Sequence, residues 1–215
     1  MQAQTTPQDR ILDAALRVFR RHGFRHSSIE QAAEAAGLTR QALYHHFSSK
    51  EALFRAVLAR LYEKALAAEI SAAEAAERAG GSLADIIVAE VSARLRELLA
   101  SLAGSPHIEE LFSEHLLQAR DLYQVYSVRY AEQVAATIAR ISRNRKLALN
   151  KRGTARELAR CIEMAVHGTK SAYPSMLPAD AFLKDLETML RMLIAGAVAS
   201  QAAASKSKRK TGVRK

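Results

Sequence analysis

The chain is poor in everything that breaks or staples a fold. Its 215 residues include one cysteine, no tryptophan, four prolines and nine glycines. A single thiol, Cys161, excludes an internal disulfide and the small oxidised scaffolds that depend on one. Few Pro and Gly beside abundant Ala, Leu, Arg and Glu argue against sheet and for a mostly helical chain. Long hydrophobic runs are missing too: the longest, Met192–Ala199, falls far short of the ~20 residues a bilayer requires. The opening MQAQTTPQDR is polar and unlike a secretory leader, so a soluble, cytoplasmic protein without membrane partners is expected.

Enzyme chemistry is equally hard to find. There is no glycine-rich phosphate loop and no Ser-His-Asp arrangement, so no enzyme and no cofactor are expected. His22 and His26 are four apart, but Gly23 intervenes and no acid stands where a zinc protease needs one. His107, Glu110 and Glu114 share one helical face that could hold a metal. Acids after a Ser105 cap and a Pro106 start are better explained by the helix dipole. Cys161 falls in an apolar helical pattern with Leu158, Ile162 and Ala165, which reads as a small buried hydrophobe.

What is present is positive charge, unevenly placed. Of the net +10, residues 1–50 hold seven basic and four acidic side chains. The last eleven, SKSKRKTGVRK, hold six basic and no acidic ones, leaving the body between nearly neutral. Charge at two ends suits a polyanion touched by those ends. A non-specific nucleic-acid packaging protein is the rival reading, but it would spread basic residues over the body.

Helix signals follow one another along the chain. Thr6-Pro7-Gln8-Asp9 caps a first helix that Gly23 can close. Ser27-Ser28-Ile29-Glu30 reads as a capping box for a second helix ending at Gly37, and Thr39 caps a short third. Ser48-Ser49-Lys50-Glu51 opens a long helix toward Ala79. Ser82 and Asp85 restart the pattern to about Leu102. His107 to Asn150 contains no Pro or Gly, so one or two helices are expected, bent near Ser113. Thr154 and Glu157 cap a helix to about Ser171, and a final helix runs from Pro178 to about Ala204. The expected fold is all-α, about nine helices: a small three-helix domain over 1–50 continuing into a connecting helix, a helical domain over 51–204, and a disordered basic tail over 205–215.

The stretch GLTRQALYHHF, residues 37–47, carries the chemistry. At about 100° per residue, Arg40, Tyr44, Gln41 and His45 share one face, while Leu43 and Phe47 anchor the other flank. His46 falls beside Ala42 on the side expected to be buried. Arg forks onto guanine and Gln onto adenine in a major groove, and Tyr44, His45 and Lys50 are donors for flanking phosphates. A capped helix, a glycine turn and a short polar-faced helix make a helix-turn-helix.

Residues 9–61 resemble the DNA-binding domain of the TetR (tetracycline repressor) family of bacterial regulators, through RILDAALRVFRRHGF, SSIEQAAEAAGLTRQALYHHF and SSKEALFRAVL in that order and spacing. The resemblance implies an all-helical homodimer with a ligand-responsive second domain, a repressor released from a palindromic operator by a small molecule. It assigns DNA contacts to Thr39, Arg40, Gln41, Tyr44, His45 and Lys50, and a phosphate contact to Ser28. Gln41 stands where the family often has glycine, so base reading there is expected to be specific to this chain.

Beyond residue 66 only pattern speaks. The last helix has two apolar stripes and needs cover on two sides. Leu186, Met189, Leu193, Gly196, Ala197 and Ser200 are expected to meet a second subunit. Phe112, His115, Leu116, Tyr123, Tyr126, Met164 and His167 are candidate pocket residues, and their few charges favour an apolar or aromatic effector.

Overall fold

The computed structural model describes residues 6–150 and 153–198. These form nine α-helices: α1 Pro7–His22, α2 Ile29–Ala35, α3 Arg40–His46, α4 Lys50–Arg78, α5 Leu83–Leu102, α6 Ile108–Gln118, α7 Arg120–Asn144, α8 Ala155–Ala172 and α9 Ala179–Ala197. A short 3-10 turn, Pro174–Met176, precedes α9, and among the described residues the only β feature is an isolated bridge between Leu149 and Val198.

The caps explain most of these boundaries. Thr6 with Asp9 and Thr154 with Glu157 form reciprocal capping boxes, as their spacing predicts. At α2 the box is shifted by one residue: Ser28 is the cap, its partner is Gln31, and Ser27 donates instead to the Gly23 carbonyl. Ser49 caps α4 by accepting from the Ala52 N–H at 3.1 Å. The expected bend near Ser113 does not occur. The break comes at Ala119, fully buried between α6 and α7, where packing rather than a Gly or Pro interrupts the helix. The helix expected to reach Ala204 has its last described turn at Ala197. Residues beyond Val198, including Ser200 and the basic tail 205–215, lie outside the described residues.

The chain divides into two compact units. The first contains the described residues up to Ala67 together with Arg94–Ser127; the second contains Ala68–Ala93 and the described residues from Val128 onward. Within the first unit α6 packs back onto α1. In the first unit, Phe19, Phe24 and Phe54 form an aromatic cluster with centroids 4.7–6.0 Å apart. Leu43 and Leu53 are completely buried in the same unit. Arg55 makes a two-pronged pair with Asp121 at 2.7 Å and donates to the Gln118 carbonyl, so α4 holds the α6–α7 joint.

In the second unit α8 packs on α9 through Leu158, Ile162, Val166, Phe182, Leu186, Leu190 and Ile194. Arg191 bridges Asp85 and Glu187, each at 2.8 Å. Glu90 is fully buried, and its Oε1 accepts from Thr137 at 2.9 Å and from Gln133 at 3.1 Å.

Candidate nucleic-acid interface

Two turns set up the short helix α3. Gly37 takes φ +69°, a left-handed conformation suited to glycine, and closes α2 with its N–H on the Glu34 carbonyl. Two residues on, the Thr39 hydroxyl accepts from the Ala42 N–H at 3.1 Å and starts α3. Leu43 and Phe47 are buried, which fixes the rotation of α3 about its axis. Arg40, Gln41, Tyr44 and His45 are all exposed, as the helical spacing predicts. His46 is exposed as well, not buried: the inward arc is narrow enough for Leu43 and Phe47 to fill alone.

Arg40 is held ready. Its guanidinium pairs with Glu30 of α2 at 2.8 Å and lies 5.4 Å from the Tyr44 ring. Glu30 is held below the usual carboxylate range by hydrogen bonds from its own backbone and from the Ser28 hydroxyl, with Arg40 adding to them. Ser28 is therefore occupied twice, capping α2 and donating to Glu30.

Lys50 behaves differently from the other candidates. Its ammonium donates to the carbonyls of Phe24 at 2.9 Å, Ser27 at 3.1 Å and Arg25 at 3.4 Å, and lies 4.5 Å from the Phe24 ring centre. An ammonium has three N–H groups, and three carbonyls take them. Lys50 thus clasps the α1–α2 turn instead of pointing out as a phosphate donor. The sequence could not reveal this, because the carbonyls lie 23 to 26 residues away.

The same turn is gripped from α6. The Arg25 N–H donates to Glu110 at 2.8 Å and its side chain to Glu114 at 2.7 Å. Gly23, with φ +74°, sits so close to Glu110 that a Cβ there would run into the carboxylate. The His107, Glu110 and Glu114 face is thus a dock for the α1–α2 turn. Among the described residues no group of three or more His, Cys, Asp or Glu is arranged around a metal position.

The candidate pocket residues are only partly brought together. His115 stands edge-on to Phe112 at 6.0 Å and to Tyr123 at 5.4 Å. Tyr126 is buried against Tyr62 at 4.9 Å and donates to Glu63 at 2.6 Å. Leu116 is exposed, and Met164 and His167 belong to the second unit on the exposed side of α8. Leu158, Ile162 and Val166 take the inward side of that helix, which turns Met164 and His167 away. Leu186 is completely buried within its own unit. Met189, Gly196 and Met192 are exposed and Leu193 and Ala197 half-buried, so the open stripe of α9 runs beside the expected one.

A glycine turn between two capped helices, the second seated on a hydrophobic core with its polar face open, defines a helix-turn-helix unit. Residues 11–57 match the family described as bacterial regulatory proteins, tetR family. The regulator UidR of Escherichia coli (strain K12) is 40% identical over 68 residues, 31% of this chain and 35% of that protein. The chain thus matches about a third of the length of that relative. Among solved structures, SmeT, the repressor of the Stenotrophomonas maltophilia multidrug efflux pump SmeDEF, superposes with a TM-score of 0.60 at 22% identity, covering 93% of this chain and 92% of that one. NalD, the secondary repressor of the MexAB-OprM multidrug efflux pump in Pseudomonas aeruginosa, gives 0.52 at 25% identity over 89% and 95%. Residues 11–57 thus resemble that family's DNA-binding domain, and the all-helical fold of the chain is the one those structures share.

Proposed function

We propose that the protein is a sequence-specific DNA-binding transcriptional regulator, a repressor that leaves a palindromic operator when a small molecule binds. The observation that carries this reading is α3: its apolar side is buried and Arg40, Gln41, Tyr44 and His45 stand open on the other. A helix presenting such a row from its first turn fits a major groove, with Arg40 and Gln41 on base edges and Tyr44, His45 and Thr39 toward phosphates. Lys50 supports the site by holding the turn before α2.

Two copies act together in this reading, each supplying one reading helix. Exposed Met164 on α8 and Met189 and Met192 on α9 favour these helices as the shared surface, with Leu193, Gly196 and Ala197 beside them. The effector site is proposed at the aromatic row Phe112, His115 and Tyr123, with Tyr126 beside it, which favours a flat aromatic ligand.

Selection of bound sequences from random duplex DNA tests the proposal. A dyad-symmetric site with half-sites about one turn apart, ~34–36 Å, or a multiple of it, is expected. Recovery of unrelated sequences would replace the regulator with a non-specific nucleic-acid binder.

A further inference from the structure

Arg17, Arg20 and Arg21 of α1 and Gly104, Ser105 and Pro106 of the α5–α6 turn line an open cavity of about 350 Å³ within the first unit. We propose that this basket binds a small soluble anion bearing a phosphate group, separately from the DNA-reading face.

The lining contains three guanidinium groups and a hydroxyl, and no carboxylate. Arg20 gives one N–H to the Ala103 carbonyl, but its Nε is buried without a hydrogen-bond partner. An anion in the open cavity would reach the terminal nitrogens of these arginines, not this enclosed Nε. The Ser105 hydroxyl donates to the Arg20 carbonyl at 2.7 Å and accepts from the His107 N–H at 3.1 Å, which fixes the opposite wall against α1. Arg17 makes one long bond, 3.4 Å, to the Ala35 carbonyl, and Arg21 is exposed.

Cations near a helix C-terminus are favoured by the dipole, which accounts for arginines there. It does not account for three of them at i, i+3 and i+4, where like charges repel, around one cavity whose lining holds no carboxylate. Guanidinium forks match phosphate oxygens two at a time, and the cavity is roomy enough for a phosphate with a small organic group attached. A duplex offers its phosphates along a ridge, whereas this basket is closed on one side by the 104–106 turn, which favours a compact free anion. Arg17 links the basket to the last turn of α2, so an occupant that recruits Arg17 would loosen its hold there. That consequence alone rests on the regulator reading; the binding itself does not.

The test titrates inorganic phosphate into the full chain by calorimetry and phosphorus NMR, against chloride at matched ionic strength and without DNA. Binding is expected in the native chain. Arg20→Gln and Arg21→Gln should each weaken it by about tenfold or more, the loss of one charge-assisted contact. Arg156→Gln, on the exposed side of α8, removes the same charge and should leave binding unchanged. Arg21 is exposed, so its variant keeps the test valid should Arg20→Gln fail to fold. No binding beyond the chloride control, or equal loss in Arg156→Gln, overturns the proposal. So does the pattern expected of a DNA contact: no phosphate binding, together with a salt dependence of DNA affinity shallower by about one ion in Arg21→Gln.

Discussion

Replacing Lys50 with methionine separates two roles that the sequence alone cannot distinguish. Methionine keeps the length and apolar stem and deletes the ammonium. The structure then loses two good charge-assisted hydrogen bonds, at 2.9 and 3.1 Å, a weaker one at 3.4 Å, and a cation above the Phe24 ring. Hydrogen bonds to charged groups contribute roughly 1.5–3 kcal/mol each, and the ring contact ~0.5–1 kcal/mol. The carbonyls are only part-buried, so water recovers much of this, and a net loss of ~2 kcal/mol is expected. For a chain of this size that lowers Tm by roughly 4–8 °C. Thermal and urea unfolding followed by circular dichroism measure it, with DNA affinity determined across a salt series. A clasp predicts the stability loss and an unchanged salt slope among molecules that remain folded. If stability is unaltered and the slope falls by about one, Lys50 contacts phosphate and the clasp is refuted.

Arg40→Ala and Gln41→Ala should each cost roughly 1–3 kcal/mol of operator affinity and relax preference at one base pair per half-site, read by fluorescence anisotropy on single-base variants. Glu30→Gln should strengthen binding, because it removes an acid facing a polyanion and frees Arg40 from its pair. Met192→Glu should give a monomer by light scattering without unfolding the chain, since that side chain is 71% exposed within one copy. Asp121 is lowered to about 2, chiefly by the Arg55 hydrogen bonds. Its contribution is present above the unfolded value of 3.8 and disappears as pH falls through about 2. Acid unfolding of Asp121→Asn should therefore be flatter in that window.

Local signals carried well from sequence to structure, and contacts between distant segments did not. Thr6, Thr39 and Thr154 act within three residues of themselves, so their caps were readable from spacing. The open face of α3 was equally readable, because Leu43 and Phe47 set its rotation. The joint at Ala119 left no trace, since packing made it and neither Gly nor Pro marks it. Arg25 and Glu114 lie 89 residues apart, and nothing in either neighbourhood announces the other. The apolar width of α9 was legible, yet periodicity could not draw the line between the part the chain covers and the part it leaves open. It covers Phe182, Leu186, Leu190 and Ile194, and leaves Met189 and Met192 open.

The close approach of Gly23 to Glu110 has a genetic consequence. A methyl group at residue 23 collides with the Glu110 carboxylate and also meets the left-handed backbone, φ +74°. Gly23→Ala should therefore be a loss-of-function allele whose damage has two separable parts. Shortening Glu110 to Ala empties the space the methyl needs, so a second-site change at 110 should partly rescue an allele at 23. The unrescued remainder joins the backbone's own preference for glycine, about 1 kcal/mol, to the Arg25–Glu110 hydrogen bond lost with the carboxylate. A selection for revertants of Gly23→Ala would thus map, with no structure in hand, the point where α6 touches the turn that carries the reading helices.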